Sequence, residues 1–272
     1  MSDQSMQPVG LFDSGIGGMT VLREVRRLLP GEDLLYLADQ ARCPYGSRSP
    51  DELRAIAAAC AAWLIARGAK LVVVACNTAS AAALADLRRR FPATPFVGMV
   101  PPVKPAASCT RSGVVGVLAT PATLAGDLLR DVIGRWAEGV RVIEQACPGL
   151  VEQIEEGALD SPGTTALLRR YITPLLDAGV DTIVLGCTHY PLLLPQLRAI
   201  AGDDTLLIDA APAVAQRVMH LLQERSLLHD VPTQRGVVTC ATTGDLERFA
   251  DLINRLDLPC DRVEQADISI RE

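Results

Sequence analysis

A five-residue apolar run at positions 71–75 constrains the fold of this chain more than any other feature. The run, LVVVA, is aliphatic throughout, with no polar residue alternating along it. Such a run is typical of a parallel strand whose two faces are both covered by helices. It ends at Cys76, after which Asn77 and Thr78 open an alanine-rich segment that we predict to be a helix. The pattern predicts an α/β fold with Cys76 at a strand-to-helix turn.

The same arrangement recurs in the second half of the chain. An apolar strand predicted at 182–185 leads into Cys187, which Thr188 and His189 follow directly. A helix start beside a strand end favours a thiolate, because unpaired backbone N–H groups and the helix dipole stabilise negative charge. Both cysteines are therefore candidates for acid/base or nucleophilic chemistry.

The composition narrows the class of protein. A chain of 272 residues with 49% hydrophobic content exceeds the usual size of one domain, so we expect two. The net charge of −6 argues against a nucleic-acid or anionic-membrane partner. The eight cysteines are widely and irregularly spaced and form no CxxC pair, which favours reduced thiols and predicts no metal site.

The expected location is the cytoplasm. The N-terminal residues lack a basic start followed by an apolar run, and no uninterrupted apolar segment reaches the roughly 18 residues of a membrane span. The sequence does not decide between a monomer and a homodimer.

Two breaks indicate the domain organisation. Residues 100–105 hold three prolines, and residues 210–212 interrupt the later strand and helix pattern. We expect a first domain of residues 1–99 plus 210–272, which carries Cys76, and a second of residues 100–209, which carries Cys187. The pattern of strand, cysteine and polar residues that both halves share predicts two pseudo-symmetric, doubly wound domains with mainly parallel sheets and an active site in the cleft between them.

Further candidate residues follow other predicted strands. Asp13 and Ser14 end the strand at 9–12, and we expect Asp13 near Cys76 if the strands before these two residues adjoin. The loop at 39–48 is longer than a tight turn needs, as loops that line sites often are. His220 and His229 are interpreted as surface groups of an amphipathic helix.

Two opposed acid/base thiols are what inversion of a stereocentre requires. One thiolate removes a proton from one face of a carbon, and the other thiol delivers a proton to the opposite face. The site must also stabilise the carbanion as it forms. Pyridoxal phosphate would need a lysine, and neither of the chain's two, Lys70 and Lys104, lies beside a phosphate-binding loop. We therefore expect no cofactor.

These motifs together resemble those of the glutamate racemases, cofactor-independent enzymes that make D-glutamate for bacterial peptidoglycan. The resemblance covers nearly the whole chain and rests on five short segments at positions 12–18, 44–46, 75–78, 147–148 and 186–191, which read FDSGIGG, PYG, ACNT, CP and GCTHYP.

The resemblance implies that Cys76 acts on D-glutamate and Cys187 on L-glutamate, assisted by Asp13 and His189. It also implies a set of residues that hold the substrate's carboxylates and amine, in which Asp13 and His189 are joined by Ser14, Tyr45, Gly46, Asn77, Thr78, Thr120 and Thr188. Glu155 matches a family glutamate near the cleft.

Three alternatives stay open at this stage. The first is an aspartate racemase or another two-cysteine racemase, which composition cannot distinguish. The second is a non-catalytic regulatory protein, for example one that contacts a topoisomerase. The third is a Cys/His hydrolase with Cys187 as nucleophile, for which His189 is poorly placed as the base.

Overall fold

The computed structural model describes residues 4–229 and 235–270. The chain divides into two compact units. Unit 1 comprises Met1–Met99 and Ala211–Glu272, and unit 2 comprises Val100–Ala210. The chain thus returns to unit 1 at Ala211, one residue after the position expected from the sequence. Each unit combines helices with a parallel sheet, which confirms the predicted α/β class.

Strands and helices alternate along the first part of unit 1. They are β1 (Val9–Asp13), α1 (Met19–Leu28), β2 (Leu34–Ala38), α2 (Pro50–Ala66), β3 (Leu71–Val74), α3 (Asn77–Arg90) and β4 (Phe96–Gly98).

Unit 2 continues the alternation with α4 (Val103–Cys109), β5 (Val114–Ala119), α5 (Pro121–Ala125), α6 (Asp127–Trp136), β6 (Arg141–Ala146), α7 (Leu150–Glu155), α8 (Pro162–Asp177), β7 (Thr182–Leu185), α9 (Leu194–Ala201) and β8 (Leu206–Asp209). The chain then returns to unit 1 for α10 (Ala211–Glu224), β9 (Val238–Thr242), α11 (Leu246–Arg255) and β10 (Arg262–Gln265).

Both sheets share one strand order. The sheet of unit 1 runs β10-β9-β2-β1-β3-β4, and the sheet of unit 2 runs β6-β5-β7-β8. All the paired strands are parallel. The order β2-β1-β3-β4 is therefore repeated by β6-β5-β7-β8. Because parallel strands end at the same edge of a sheet, the residues after β1, β2 and β3 come together, as do those after β5, β6 and β7.

Matching helix signals precede the two cysteine-bearing strands. Helix α2 begins with a capping box in which the Ser49 hydroxyl accepts the Glu52 N–H, and α8 begins with Ser161 accepting from Thr164. Gly68 and Gly179 then turn the chain with φ angles of 88° and 84°, a conformation that favours glycine. The short strands β3 and β7 that follow are buried along their whole length.

The proline-rich crossing at 100–105 differs from the irregular break expected there. Helix α4 begins at Val103 and contains Pro105 in its first turn. A proline is tolerated at that point because the first N–H groups of a helix have no partner within the helix.

None of the helices in the described part of the chain is long and apolar enough to cross a membrane.

Candidate active site

Cys76 caps the start of α3. Its backbone is extended, and its Sγ accepts a hydrogen bond from the Ala79 N–H at 3.5 Å. Only 5% of the residue is exposed. The first N–H groups of a 14-residue helix therefore face this sulfur, an arrangement that favours negative charge there. The predicted strand-to-helix turn is formed as expected.

Asn77 and Thr78 follow Cys76 and are both buried. Neither the side-chain oxygen nor the side-chain nitrogen of Asn77 has a hydrogen-bond partner among the residues that the structure describes. A buried amide with no partner costs free energy, so a polar ligand at this position would restore its hydrogen bonds.

Asp13 ends the strand beside β3. In the β1–β3 pairing Phe12 lies opposite Val74, and the Ala75 N–H donates to the Phe12 carbonyl at 2.8 Å. Asp13 is fully buried, and its Oδ2 accepts from the Gly18 N–H at 2.7 Å. A Cβ at Gly18 would lie 2.7 Å from the Asp13 Cβ, so only glycine allows this approach. Asp13 thus lies one strand from Cys76, as expected, and Ser14 follows it.

The loop at 39–48 places Tyr45 and Gly46 in a short 3-10 helix, Tyr45–Ser47. Tyr45 is buried in the same cluster as Cys76, and its hydroxyl donates to Asp39 Oδ2 at 2.7 Å. Burial, with the neighbouring Cys60 and Asp39, raises the pKa of Tyr45 well above its usual value. The phenol therefore stays protonated at neutral pH and donates.

Asp39 was not predicted as a site residue. It is fully buried and directly follows β2, and its N–H donates to the carbonyl of Asp13 at the end of β1 at 2.9 Å. The sequence did carry a signal for it, an acidic residue directly after an apolar strand, which is the signal that singled out Asp13.

Cys187 follows β7 in unit 2. The Gly186 N–H donates to the Leu118 carbonyl of β5 at 2.8 Å, and a Cβ at Gly186 would lie 2.8 Å from that same oxygen. A side chain there would clash with the neighbouring strand, so glycine delivers Cys187 to the edge of the sheet. Cys187 is 7% exposed.

His189 connects Cys187 to Glu155. The Cys187 Sγ lies 3.7 Å from His189 Nδ1, and His189 Nε2 lies 2.7 Å from Glu155 Oε1. Because an ionised carboxylate only accepts hydrogen bonds, Nε2 carries a proton, and Nδ1 is left to exchange a proton with the thiol. Glu155, whose role the sequence left open, thus holds the His189 ring by this hydrogen bond.

The two threonines of unit 2 that are predicted as ligands occupy the same edge of this sheet. Thr188 is buried directly after Cys187. Thr120 follows β5, and its hydroxyl accepts from the Thr123 N–H at 3.3 Å as the cap of α5. Unit 2 therefore brings Thr120, Cys187, Thr188 and His189 to the ends of two adjacent strands.

Cys147 and Tyr190 complete this edge and were missed as site residues. Burial, with the nearby Cys187, raises the pKa of Cys147 to about 12 and places that of Tyr190 well above its usual value. Both groups therefore stay protonated, and uncharged, at neutral pH.

Other groups singled out in the sequence lie elsewhere. Lys70 precedes β3, at the opposite end of the strand from Cys76, and its Nζ lies 2.5 Å from the buried carboxylate of Glu32. Lys104 lies over the ring of Trp136, 3.7 Å from its centroid.

The interpretation of His229 as a helix-surface group is wrong. Helix α10 ends at Glu224, and the partly buried His229 beyond it donates its N–H to Glu32. His220 lies on α10 and is exposed, as expected.

The fold and the paired cysteine turns place the chain in a known class. Residues 17–218 match the family model described as Asp/Glu/Hydantoin racemase, and the chain belongs to this family. Its relatives include a glutamate racemase from Roseiflexus sp. (strain RS-1), which is 87% identical over 270 residues that cover 99% of each chain.

Solved structures agree with this relationship. A glutamate racemase isoform from Bacillus anthracis superposes with a TM-score of 0.88 at 31% identity, covering 98% of this chain and 100% of the other. The Escherichia coli glutamate racemase, whose structure contains L-glutamate and the activator UDP-MurNAc-ala, superposes with a TM-score of 0.83 at 32% identity, covering 97% and 99%. The family resemblance inferred from the sequence is confirmed.

Proposed function

We propose that this protein interconverts L-glutamate and D-glutamate and supplies D-glutamate for peptidoglycan synthesis in the cytoplasm. One observation carries the proposal: two units that share a four-strand order each present a buried cysteine two residues after the last residue of an equivalent strand. The names of the relatives supply the substrate, because the curated and structural relatives described above are glutamate racemases.

In the direction from L- to D-glutamate, the Cys187 thiolate removes the α proton and the Cys76 thiol delivers a proton to the opposite face. In the reverse direction the roles exchange, so that Cys76 removes the proton from D-glutamate. The mechanism requires both thiols to reach the same carbon from opposite faces. Each thiol then ends the turnover in the protonation state that the reverse reaction needs.

Each thiol has its own partners for this task. His189, oriented by Glu155, exchanges a proton with Cys187. The N–H groups at the start of α3 stabilise negative charge on the Cys76 sulfur, and Asp13 on the adjacent strand assists Cys76. The α proton of an amino acid is weakly acidic, so the substrate carboxylate must be held by hydrogen bonds that strengthen as the carbanion forms. Donors for this role are provided by the proposed ligands Ser14, Tyr45, Gly46, Asn77, Thr78, Thr120 and Thr188.

Aspartate is a second candidate substrate, since the family model spans aspartate and glutamate racemases. The two substrates differ by one methylene, which is worth only about 1–3 kcal/mol in an apolar pocket.

The test incubates the purified protein, under reducing conditions and without added cofactor, with each enantiomer of glutamate and of aspartate. Circular dichroism follows the loss of optical activity. We expect both glutamate enantiomers to racemise and aspartate to racemise far more slowly. If neither glutamate enantiomer racemises, the proposal is refuted. If aspartate racemises faster than glutamate, the protein is an aspartate racemase instead.

A further inference from the structure

Arg42 lies at the centre of the loop that carries Tyr45 and Gly46. It ends the short 3-10 helix Gln40–Arg42, and its side chain is 22% exposed. Its Nη1 donates to Asp39 Oδ1 at 2.6 Å, and its Nη2 donates to the backbone carbonyl of Ile268 at 2.9 Å. The two branches of the guanidinium therefore join the loop to a segment 226 residues away in the chain.

That segment, residues 266–270, follows β10, and we call it the C-terminal strap. The Ala266 N–H donates to the Thr242 carbonyl at 2.7 Å, which fixes the start of the strap to β9. Ala266 and Ile268 are buried in the apolar cluster that contains Tyr45 and Cys76, and Ile270 packs against this cluster. The strap is thus part of the core beneath the proposed substrate loop.

The contacts of Arg42 continue to Tyr45 through Asp39. One oxygen of the buried Asp39 carboxylate accepts from Arg42 and from Thr243, and the other accepts from the Tyr45 hydroxyl. The backbone carbonyl of Arg42 also accepts from Arg48 Nε at 2.8 Å, near the far end of the loop. Charge-assisted hydrogen bonds to a buried carboxylate are strong and directional, so removal of the arginine leaves this network incomplete.

We propose that Arg42 is a positioning residue for the substrate loop, and that it acts by tying residues 39–48 to the C-terminal strap. The proposal rests on the proposed function, in which Tyr45 and Gly46 bind the substrate. Arg42 does not touch the substrate, because its guanidinium is directed to Asp39 and Ile268. Arg42 instead raises the fraction of the unliganded protein in which the loop has the conformation that binds substrate.

Three variants test this role: Arg42→Ala, a truncation that ends at Asp267 and so removes the Ile268 carbonyl, and the combination of both. Arg54→Ala is the matched control, since Arg54 is an arginine on α2 that pairs with the exposed Asp51. For each variant we would measure kcat and KM in both directions, and hydrogen–deuterium exchange of the unliganded protein.

We expect Arg42→Ala to raise KM about 10-fold with little change in kcat. A smaller fraction of the unliganded protein then has the loop in its binding conformation, which weakens substrate binding but leaves the chemical step unchanged. Amides of residues 39–48 should exchange faster, while those of β1 and β3 keep their protection. The truncation should act in the same way. The combined variant should be less severe than the sum of the two single effects on the free energy of binding, because both changes remove the same Arg42–Ile268 hydrogen bond.

Unchanged KM and unchanged loop protection in Arg42→Ala would overturn the proposal, and so would additive effects in the combined variant. Faster exchange throughout unit 1 would also overturn it, since it would show a general structural role. If Arg42→Ala does not fold, Arg42→Lys decides, because its single nitrogen replaces two separate donors: a KM above that of the unmodified protein, with faster exchange confined to residues 39–48, supports the proposal, and unchanged values overturn it. Absence of racemisation in the unmodified protein would refute the proposed function, whereas the exchange measurement still tests the tie between the loop and the strap.

Discussion

The two cysteine turns share one backbone frame and differ in the groups that serve the thiol. Both cysteines follow a short buried strand that pairs in parallel with the first strand of its unit. In unit 1 the Ala75 N–H donates to the Phe12 carbonyl, and in unit 2 the Gly186 N–H donates to the Leu118 carbonyl, both at 2.8 Å. Each cysteine therefore occupies the equivalent position in the sheet of its own unit.

The side chains around this frame are not repeated. Asp13 ends β1 beside the Cys76 turn, whereas Ala119 ends β5 beside the Cys187 turn. Cys76 caps a 14-residue α-helix, but only a four-residue 3-10 helix, Tyr190–Leu193, follows Cys187. In place of a carboxylate on the adjacent strand, Cys187 has His189 and Glu155. The repeated fold thus places a different set of titratable groups beside each cysteine, and each set can be altered separately.

This difference has a particular kinetic signature. The two enantiomers of an amino acid have equal free energy, so kcat/KM must be the same in both directions for every variant. An asymmetry between the thiols appears instead in which proton transfer limits the rate. Primary isotope effects measured with substrate deuterated at the α carbon report that step separately for each enantiomer.

The largest effect is expected from removal of either thiol. Cys76→Ser and Cys187→Ser should each lower kcat/KM at least about 1000-fold, because a serine hydroxyl is too weak an acid to replace a thiol. Circular dichroism with each glutamate enantiomer measures the loss. Cys109→Ser, at an exposed cysteine, is the control and should retain full activity. Substantial turnover by either active-site variant would refute the two-thiol mechanism.

His189→Asn should have the next largest effect, a loss of about 100-fold in kcat/KM in both directions. The transfer at Cys187 then becomes more strongly rate-limiting. The primary isotope effect should therefore rise with deuterated L-glutamate and fall with deuterated D-glutamate. His220→Asn, on the exposed face of α10, should change neither value. Equal isotope effects for both enantiomers in His189→Asn would contradict the assignment of His189 to Cys187.

Glu155→Gln should lower kcat/KM about 10-fold, since it weakens a charge-assisted hydrogen bond to His189 but leaves the imidazole in place. The shift in isotope effects should have the same sign as in His189→Asn and be smaller. Glu156→Gln, at the exposed neighbouring residue, supplies the control. A shift of the opposite sign would place Glu155 with the other thiol.

Substitution of Cys147 by alanine is expected to have the smallest effect on activity. The Cys147 N–H donates to the Ala119 carbonyl, as the Asp39 N–H donates to the Asp13 carbonyl in unit 1. The folded-state pKa of Cys147 is raised to about 12, so the folded protein keeps its proton while the unfolded chain releases it above about pH 8.5. Stability is therefore full below that pH and falls as pH rises, by about 2 kcal/mol at about pH 10. Urea unfolding of Cys147→Ala should show a shallower loss between these pH values. An unchanged slope would contradict the raised pKa.

The sequence predicted the elements around the two cysteines because the signals there are local. An unbroken apolar run specifies a buried parallel strand, and Gly68 and Gly179 specify the turns that precede it. Even the neighbourhood of Asp13 and Cys76 followed from one assumption about which strands adjoin, and the β1–β3 pairing supports that assumption.

Contacts between distant residues could not be read in this way. Arg42 reaches the Ile268 carbonyl across 226 residues of chain, and Glu155 meets His189 across 34. Helix α4 was missed because three prolines in the crossing outweigh its short apolar pattern. These features depend on how elements pack, which a residue pattern does not encode.

The most direct test of the central claim follows deuterium from D₂O into glutamate during the first few per cent of reaction. If two different thiols serve the two faces, the product enantiomer gains deuterium at the α carbon while the recovered substrate stays unlabelled, whichever enantiomer is supplied. Early deuterium in the recovered substrate, at a level comparable with that in the product, is the result expected if one group serves both faces, and it would contradict the account.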